Sequence, residues 1–209
     1  MSSRRYAAIA RAYDVLSGEW PVYGAGRRAG LALLGLRPGD TVLDLGCGTG
    51  LNFAGLLDAV GPSGRVIGVD RSPQMLAAAR RRVSSARESR VRLVKADAET
   101  MHYADVLADA GGGAFDAVVA TYALSVIDDW PAAWRAARAA LRPGGRALIV
   151  DMRRPTGAAR VLTPLALLAC ALGGSDIDAS PWSVLDGAPD RAEVSVRGGH
   201  IVAVAATLP

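Results

Sequence analysis

Short apolar runs alternate along the middle of this chain with segments of helical period. Val42, Leu43 and Leu45 read as a strand buried on both faces, and a helical pattern follows from Leu51 to Val60. Arg65 to Val69 is a second apolar strand, and the next helix opens on Ser72 as cap and Pro73 in its first turn. A third strand precedes Lys95-Ala96-Asp97-Ala98, and Phe115 to Val119 is a fourth. Pro131 opens a further helix after Asp128-Asp129-Trp130, and Arg146 to Val150 forms a fifth strand that Pro155 and Gly157 terminate. Ala192 to Val196 and Ile201 to Leu208, joined by Arg197-Gly198-Gly199-His200, predict a β-hairpin that extends the sheet. With two helices expected before the first strand, the pattern predicts an α/β fold. Its sheet is doubly wound, mostly parallel and seven-stranded, with a C-terminal antiparallel hairpin.

The turn after the first strand carries the most chemical information. Gly46, Gly48 and Gly50 allow a tight backbone turn with no Cβ in a ligand's way, and the helix start beyond them offers unpaired N–H groups to an anion. Asp70, at the carboxyl end of the second strand, is placed to accept hydrogen bonds from two ribose hydroxyls. Together these features point to a nucleoside-containing ligand. A dinucleotide fingerprint would require glycine at position 51, where this chain has Leu51.

The run V-L-D-L-G-C-G-T-G from Val42 to Gly50, with Asp70 beyond it, resembles the class I S-adenosylmethionine-dependent methyltransferase family. Lys95-Ala96-Asp97-Ala98 resembles that family's adenine-contacting motif, Phe115 to Val119 its fourth strand, and Leu141-Arg142-Pro143-Gly144-Gly145 its turn before strand five. The matches cover roughly residues 36 to 152. The resemblance implies a Rossmann-like methyltransferase fold with S-adenosylmethionine as cofactor and no metal. It implies a backbone cradle at Gly46, Gly48 and Gly50 near the methionine part, with Asp44 on the amino-group side. Asp70 is implied for the ribose, Asp97 and Ala98 for the adenine, and Arg71 and Met75 for the rim; Cys47, Asn52 and Thr121 complete the cofactor set.

The sulfonium makes the methyl group electrophilic, so the protein mainly aligns the acceptor and a dedicated base is optional. An acceptor beyond strands four and five would meet Thr121, Tyr122, Ser125, Asp151 and Arg153. Tyr13, His102 and Tyr122 are candidates for proton transfer, and His200 is a weaker one. Tyr6, Tyr13, Trp20, Tyr23, Arg27 and Arg28 concentrate aromatic and cationic groups before the first strand, so residues 1–36 are expected to form a helical lid or acceptor segment of a single 1–209 domain. The reaction expected is methyl transfer to a nitrogen or oxygen of a small-molecule or lipid-like acceptor. Tyr13-Asp14, Arg27-Arg28 and Pro181-Trp182 loosely resemble phospholipid and amine N-methyltransferases and the quinone-biosynthesis branch.

Composition narrows the alternatives. An apolar share of 51% over 209 residues can fill one sizeable core. The net charge of +4 comes from 23 arginines and one lysine, and the densest run, Arg80-Arg81-Arg82, closes a helix where cations complement the dipole. That run has no interleaved aromatics, and Thr121-Tyr122-Ala123-Leu124-Ser125 stands where base-modifying enzymes carry N-P-P-Y, so nucleic acid is not the expected substrate. An RNA methyltransferase, a cyclase and a protein that binds the cofactor without transferring its methyl group remain alternatives on the same fold. Cys47 and Cys170 give neither a disulfide framework nor a metal spacing. The amino end lacks a secretory pattern, which predicts a cytoplasmic protein. Residues 158–172 are strongly apolar but too short to span a bilayer, and Pro164 is expected to interrupt them. They are expected to cover the sheet, or else to form an apolar wall or a peripheral membrane contact.

Overall fold

The structure is a computed structural model that describes residues 22–109 and 113–209. Its sheet contains β1 (Thr41–Leu45), β2 (Arg65–Asp70), β3 (Val91–Lys95), β4 (Phe115–Thr121), β5 (Leu141–Met152), β6 (Ala192–Val196) and β7 (Ile201–Leu208). The order is β3-β2-β1-β4-β5-β7-β6. β1 to β5 pair in parallel, while β7 runs antiparallel to both β5 and β6. The central strands are the apolar ones: Val42, Leu43 and Leu45 of β1 and Val118 and Val119 of β4 are completely buried, as a sheet covered on both faces requires. Chain order reverses between β1 and β4, so a crevice opens at their carboxyl ends, where open α/β sheets bind ligands.

The helices are α1 (Gly24–Leu34), α2 (Phe53–Ala59), α3 (Pro73–Arg82), α4 (Tyr103–Asp109), α5 (Trp130–Ala139) and α6 (Thr163–Gly173). α1 lies against β5 and β7 at close range. A Cβ on Gly26 would sit 2.3 Å from the Ile201 side chain, and one on Gly30 would sit 2.6 Å from Val150. α3 is capped as its sequence predicts: Met75 N–H donates to Ser72 Oγ at 3.3 Å, and Arg80 to Arg82 fill its last turn. Asp129 caps α5 by accepting from Ala132 N–H at 3.1 Å.

Three local expectations are corrected. α2 begins at Phe53, two residues later than its pattern suggests. Gly50 turns left-handed at φ 79°, and Asn52 at the cap position makes no capping bond because its side chain is turned inward. β5 starts at Leu141, since the Leu141–Gly145 turn joins the strand across an irregularity: Phe115 pairs with Leu141, but Ala117 pairs with Arg146. Pro164 divides the 158–172 run as expected: a 3-10 turn ends at Leu162 and α6 opens with Pro164 in its first turn, where an N–H has no intrahelical partner to lose. α6 itself covers little of the molecule, burying only Ala166 and Cys170. The hairpin bounds agree with the sequence pattern, and Arg197, Gly198 and Gly199 all turn with positive φ. Of the expected 1–36 segment, residues 1–21 lie outside the described residues, and Tyr6, Tyr13 and Trp20 with them. No helix among the described residues is long and apolar enough to cross a membrane.

Candidate functional site

The carboxyl end of β1 leads into a buried polar network. Asp44 is fully buried, and Asn52 Nδ2 donates to its Oδ1 at 2.8 Å and to Thr121 Oγ1 at 3.0 Å. From α1, Arg27 Nη1 donates to Asn52 Oδ1 at 2.8 Å and to Thr121 Oγ1 at 2.6 Å. Three separate elements therefore converge on Asn52. The second carboxylate oxygen, Asp44 Oδ2, has no hydrogen-bond partner among the described residues. Burial raises the Asp44 pKa to about 7, against the lowering effects of the Asn52 hydrogen bond and the Arg27 charge, while Asp70 adds a further upward push. A buried acceptor left over in this way fits a cationic donor brought by a ligand.

The glycine turn lies over this network. Gly46, Gly48 and Gly50 have φ of 65°, 54° and 79°. A Cβ at Gly46 would meet Ala123 at 2.6 Å and one at Gly50 would meet the Phe53 ring at 2.7 Å, whereas one at Gly48 would project into open space. Glycine is thus required for packing at two positions and leaves the turn open at the third. Gly48 N–H donates to Asp70 Oδ2 at 2.9 Å and Ser72 N–H to Asp70 Oδ1 at 2.8 Å. These bonds fix the Asp70 carboxylate while each oxygen keeps further accepting capacity. Cys47 is buried, and desolvation together with the charges of Asp44 and Asp70 pushes its thiol well up, so it stays neutral and packs.

The adenine-side candidates are more open. Asp97 is exposed and its Oδ1 accepts from Glu99 N–H at 3.0 Å, while the Ala98 carbonyl accepts from the Tyr103 hydroxyl at 3.4 Å. Met75 is half-buried and Arg71 exposed.

On the acceptor side, Tyr122 adopts a left-handed backbone at φ 55°. Its hydroxyl donates to the Tyr23 carbonyl at 2.7 Å, its ring meets Tyr23 edge-on at 5.0 Å, and Arg27 stands 5.4 Å from its ring centre. Ser125 and Asp151 come together in the interior: the Ser125 hydroxyl and N–H and the Met152 N–H all donate to the Asp151 carboxylate. Burial raises the Asp151 pKa to about 6 despite those three donors. Met152, Ala166, Cys170 and Ile177 form an apolar cluster beside Tyr23 and Tyr122.

Arg153 is not part of this group. Its guanidinium turns to the hairpin, donating to the Gly199 carbonyl at 2.9 Å and Ser195 Oγ at 3.0 Å. His102 is exposed, and His200 is buried with Nδ1 at 2.7 Å from the Arg153 carbonyl. Tyr13 lies outside the described residues. No group of His, Cys, Asp and Glu able to hold a metal ion occurs among the described residues. Sequence reasoning undervalued Arg27: it is separated from the glycine turn by a helix end and a strand, and no local spacing signals that it reaches Asn52.

Comparison with known proteins agrees with this architecture. Residues 42–145 match the family profile described as "Methyltransferase domain". The 2-phytyl-1,4-naphtoquinone methyltransferase of Synechococcus elongatus is 35% identical over 153 residues, covering 70% of this chain and 61% of that protein. The ubiquinone/menaquinone biosynthesis C-methyltransferase UbiE of Pseudomonas putida is 34% identical over 144 residues, covering 68% and 53%. This chain therefore spans less than two thirds of the length of these relatives. The crystal structure of an S-adenosylmethionine-dependent methyltransferase from Aquifex aeolicus superimposes with a TM-score of 0.59 at 17% identity, over 88% of this chain and 89% of that one, which speaks to the fold alone. With the glycine motif, the strand order and these likenesses in agreement, the chain belongs to the class I S-adenosylmethionine-dependent methyltransferase family.

Proposed function

We propose that this protein transfers a methyl group from S-adenosylmethionine to a small, lipid-like acceptor in the crevice beyond β1 and β4. The observation that carries this reading is the unpartnered, fully buried oxygen of Asp44 beneath a glycine turn whose Gly48 side is open. In this proposal Asp44 accepts from the ammonium of the methionine part, and the Arg27 guanidinium, 2.8 Å from Asn52 Oδ1, lies on the side of its carboxylate. Asp70 accepts from the ribose hydroxyls, and Asp97, Ala98, Met75 and Arg71 border the adenine. Residues 1–36 act as the acceptor-side lid of a single domain, with α1 carrying Arg27 into the site.

When bound, the cofactor supplies an electrophilic methyl group on a sulfonium that departs as a neutral thioether. The chain's own contribution is alignment and exclusion of water. Tyr122 and Tyr23 form an aromatic wall, and the cluster around Met152 provides an apolar floor. The Tyr122 proton is held by the Tyr23 carbonyl, which supports a positioning role for Tyr122 over that of a base.

A nitrogen or oxygen is the attacking atom expected from the sequence. The relative named a C-methyltransferase supports a second reading, attack by an electron-rich ring carbon. Calorimetric titration with S-adenosylhomocysteine tests the cofactor assignment: one site per chain is expected, and Asp70→Ala is expected to weaken binding at least ~10-fold, about 1.4 kcal/mol. Unchanged affinity in that variant would remove Asp70 from the site. Transfer of labelled methyl to amine-bearing lipids, phenols and quinols, followed by mass spectrometry of the products, distinguishes the attacking atoms.

A further inference from the structure

α6 is an unusual helix for a protein surface. From Val161 to Ser175 there is no charged residue, yet Leu165, Leu168 and Leu172 are 64, 57 and 82% exposed. They recur at i, i+3 and i+7 and so share one outer face, while Ala166 and Cys170 hold the opposite side to Met152. Val161 and Leu162, in the 3-10 turn that precedes α6, lengthen the same apolar surface.

The rim at its amino end is cationic, while exposed Asp176 and Asp178 follow its carboxyl end. The β6–β7 turn packs onto that 3-10 turn: Thr156 N–H donates to the Gly198 carbonyl at 2.9 Å, and a Cβ on Gly198 would lie 2.4 Å from that of Ala159. This brings Arg160 and Arg197, the immediate neighbours of Ala159 and Gly198 in the chain, to one edge of the apolar face. Both are exposed, and neither has an acidic partner among the described residues, unlike Arg153 and Arg154, which pair with Glu193 and Asp178.

We infer that the α6 face is a membrane-docking surface for an anionic bilayer, with its leucines entering the headgroup boundary and Arg160 and Arg197 meeting lipid phosphates. An uncharged leucine face bordered by uncompensated arginines matches the two layers of such an interface, apolar below and anionic above. The face is also continuous with the site, because Ala166 and Cys170 on its inner side belong to the cluster that Tyr23 and Tyr122 complete. Docking by this helix would therefore hold the crevice near the bilayer that carries a greasy acceptor. The inference deepens the lipid-like acceptor reading and rests on it for the source of substrate.

Vesicle co-sedimentation tests it, using the full chain without acceptor and vesicles of phosphatidylglycerol or of phosphatidylcholine. The wild type is expected to sediment with the anionic vesicles only. Leu165→Glu/Leu168→Glu is expected to bind them at least ~10-fold more weakly, and Arg160→Gln/Arg197→Gln roughly fivefold more weakly per arginine, with titration by S-adenosylhomocysteine unchanged in each. Leu172→Glu, at the most exposed position, serves as a second leucine variant should the double one fold poorly. Wild type that stays in the supernatant, or leucine variants that bind like wild type, would overturn the proposal. So would a wild-type dimer that the leucine variants convert to monomer, since a second copy would then cover the face. A large fall in thermal midpoint in Leu172→Glu would likewise overturn it, because the face would then be covered by this chain itself. Methyl transfer to a lipid-like acceptor dispersed in detergent, with no bilayer present, stays intact if only the docking surface is wrong, and is absent if the proposed function itself fails.

Discussion

At the scale of single residues, Asp44 concentrates the chemistry of the site. Its carboxyl titrates near neutrality because burial disfavours the charge more than Asn52 and Arg27 restore it. A ligand ammonium selects the ionised form, so affinity for S-adenosylhomocysteine is expected to rise as pH increases from 6 to 8. Asp44→Asn is expected to bind more weakly at pH 8 by ~10-fold and to lose most of this dependence. Titration calorimetry at three pH values checks it, and a wild-type profile as flat as the variant's would remove Asp44 from the ligand. Asp44 and the glycines were legible as candidates in V-L-D-L-G-C-G-T-G, and Asp70 at the end of the next strand, because a turn tied to a strand end is a local pattern. The clamp from Arg27 through Asn52 to Thr121 was not, since its members are brought together only by the packing of α1 on the sheet.

At the scale of elements, sequence patterns located the strands well and misjudged the places where a turn merges with its neighbour. Apolar runs flanked by glycine and proline fix β1, β4 and the β6–β7 hairpin. The Leu141–Gly145 turn becomes part of β5 because Leu141 finds a partner in Phe115 across the irregularity. The exposure of α6 was left open between covering the sheet and a peripheral membrane contact for a different reason: hydropathy reports that a helix is apolar but not whether anything covers it. α1 gives a prediction of its own. Its close approach to β5 and β7 depends on small residues, and Gly26→Ala would drive a methyl into Ile201 and the Tyr122 hydroxyl. That substitution is expected to destabilise the fold by about 1–3 kcal/mol despite alanine's better helix propensity, and a denaturant midpoint equal to wild type's would show that α1 is free to shift outward.

For the molecule as a whole, the two buried acids set how stability depends on pH. Asp44 and Asp151 titrate near 7 and 6 when folded and near 3.8 as free carboxyls, so the folded chain holds more protons than the unfolded chain between those limits. Stability contributed by their protonated forms is complete below about pH 4 and is lost as pH rises through the folded values. Asp178 and Asp190, whose pKa values are lowered, oppose this, but both are exposed and screened by solvent. The ligand-free protein is therefore expected to melt at a higher temperature at pH 5 than at pH 8, with Asp151→Asn reducing the difference. Scanning calorimetry decides it, and a midpoint that rises toward pH 8 would count against both assignments.

The position of β7 has a consequence for how the chain assembles. β6 precedes β7 in sequence, yet β7 lies between it and β5, so β6 has no edge to join until β7 has docked. While the ribosome is still making residues 201–208, the apolar margin of β5 stands open, and neither β6 nor any earlier strand can close it. Folding of this half of the sheet then waits for β7, and the nascent chain is most exposed to aggregation just before that strand emerges.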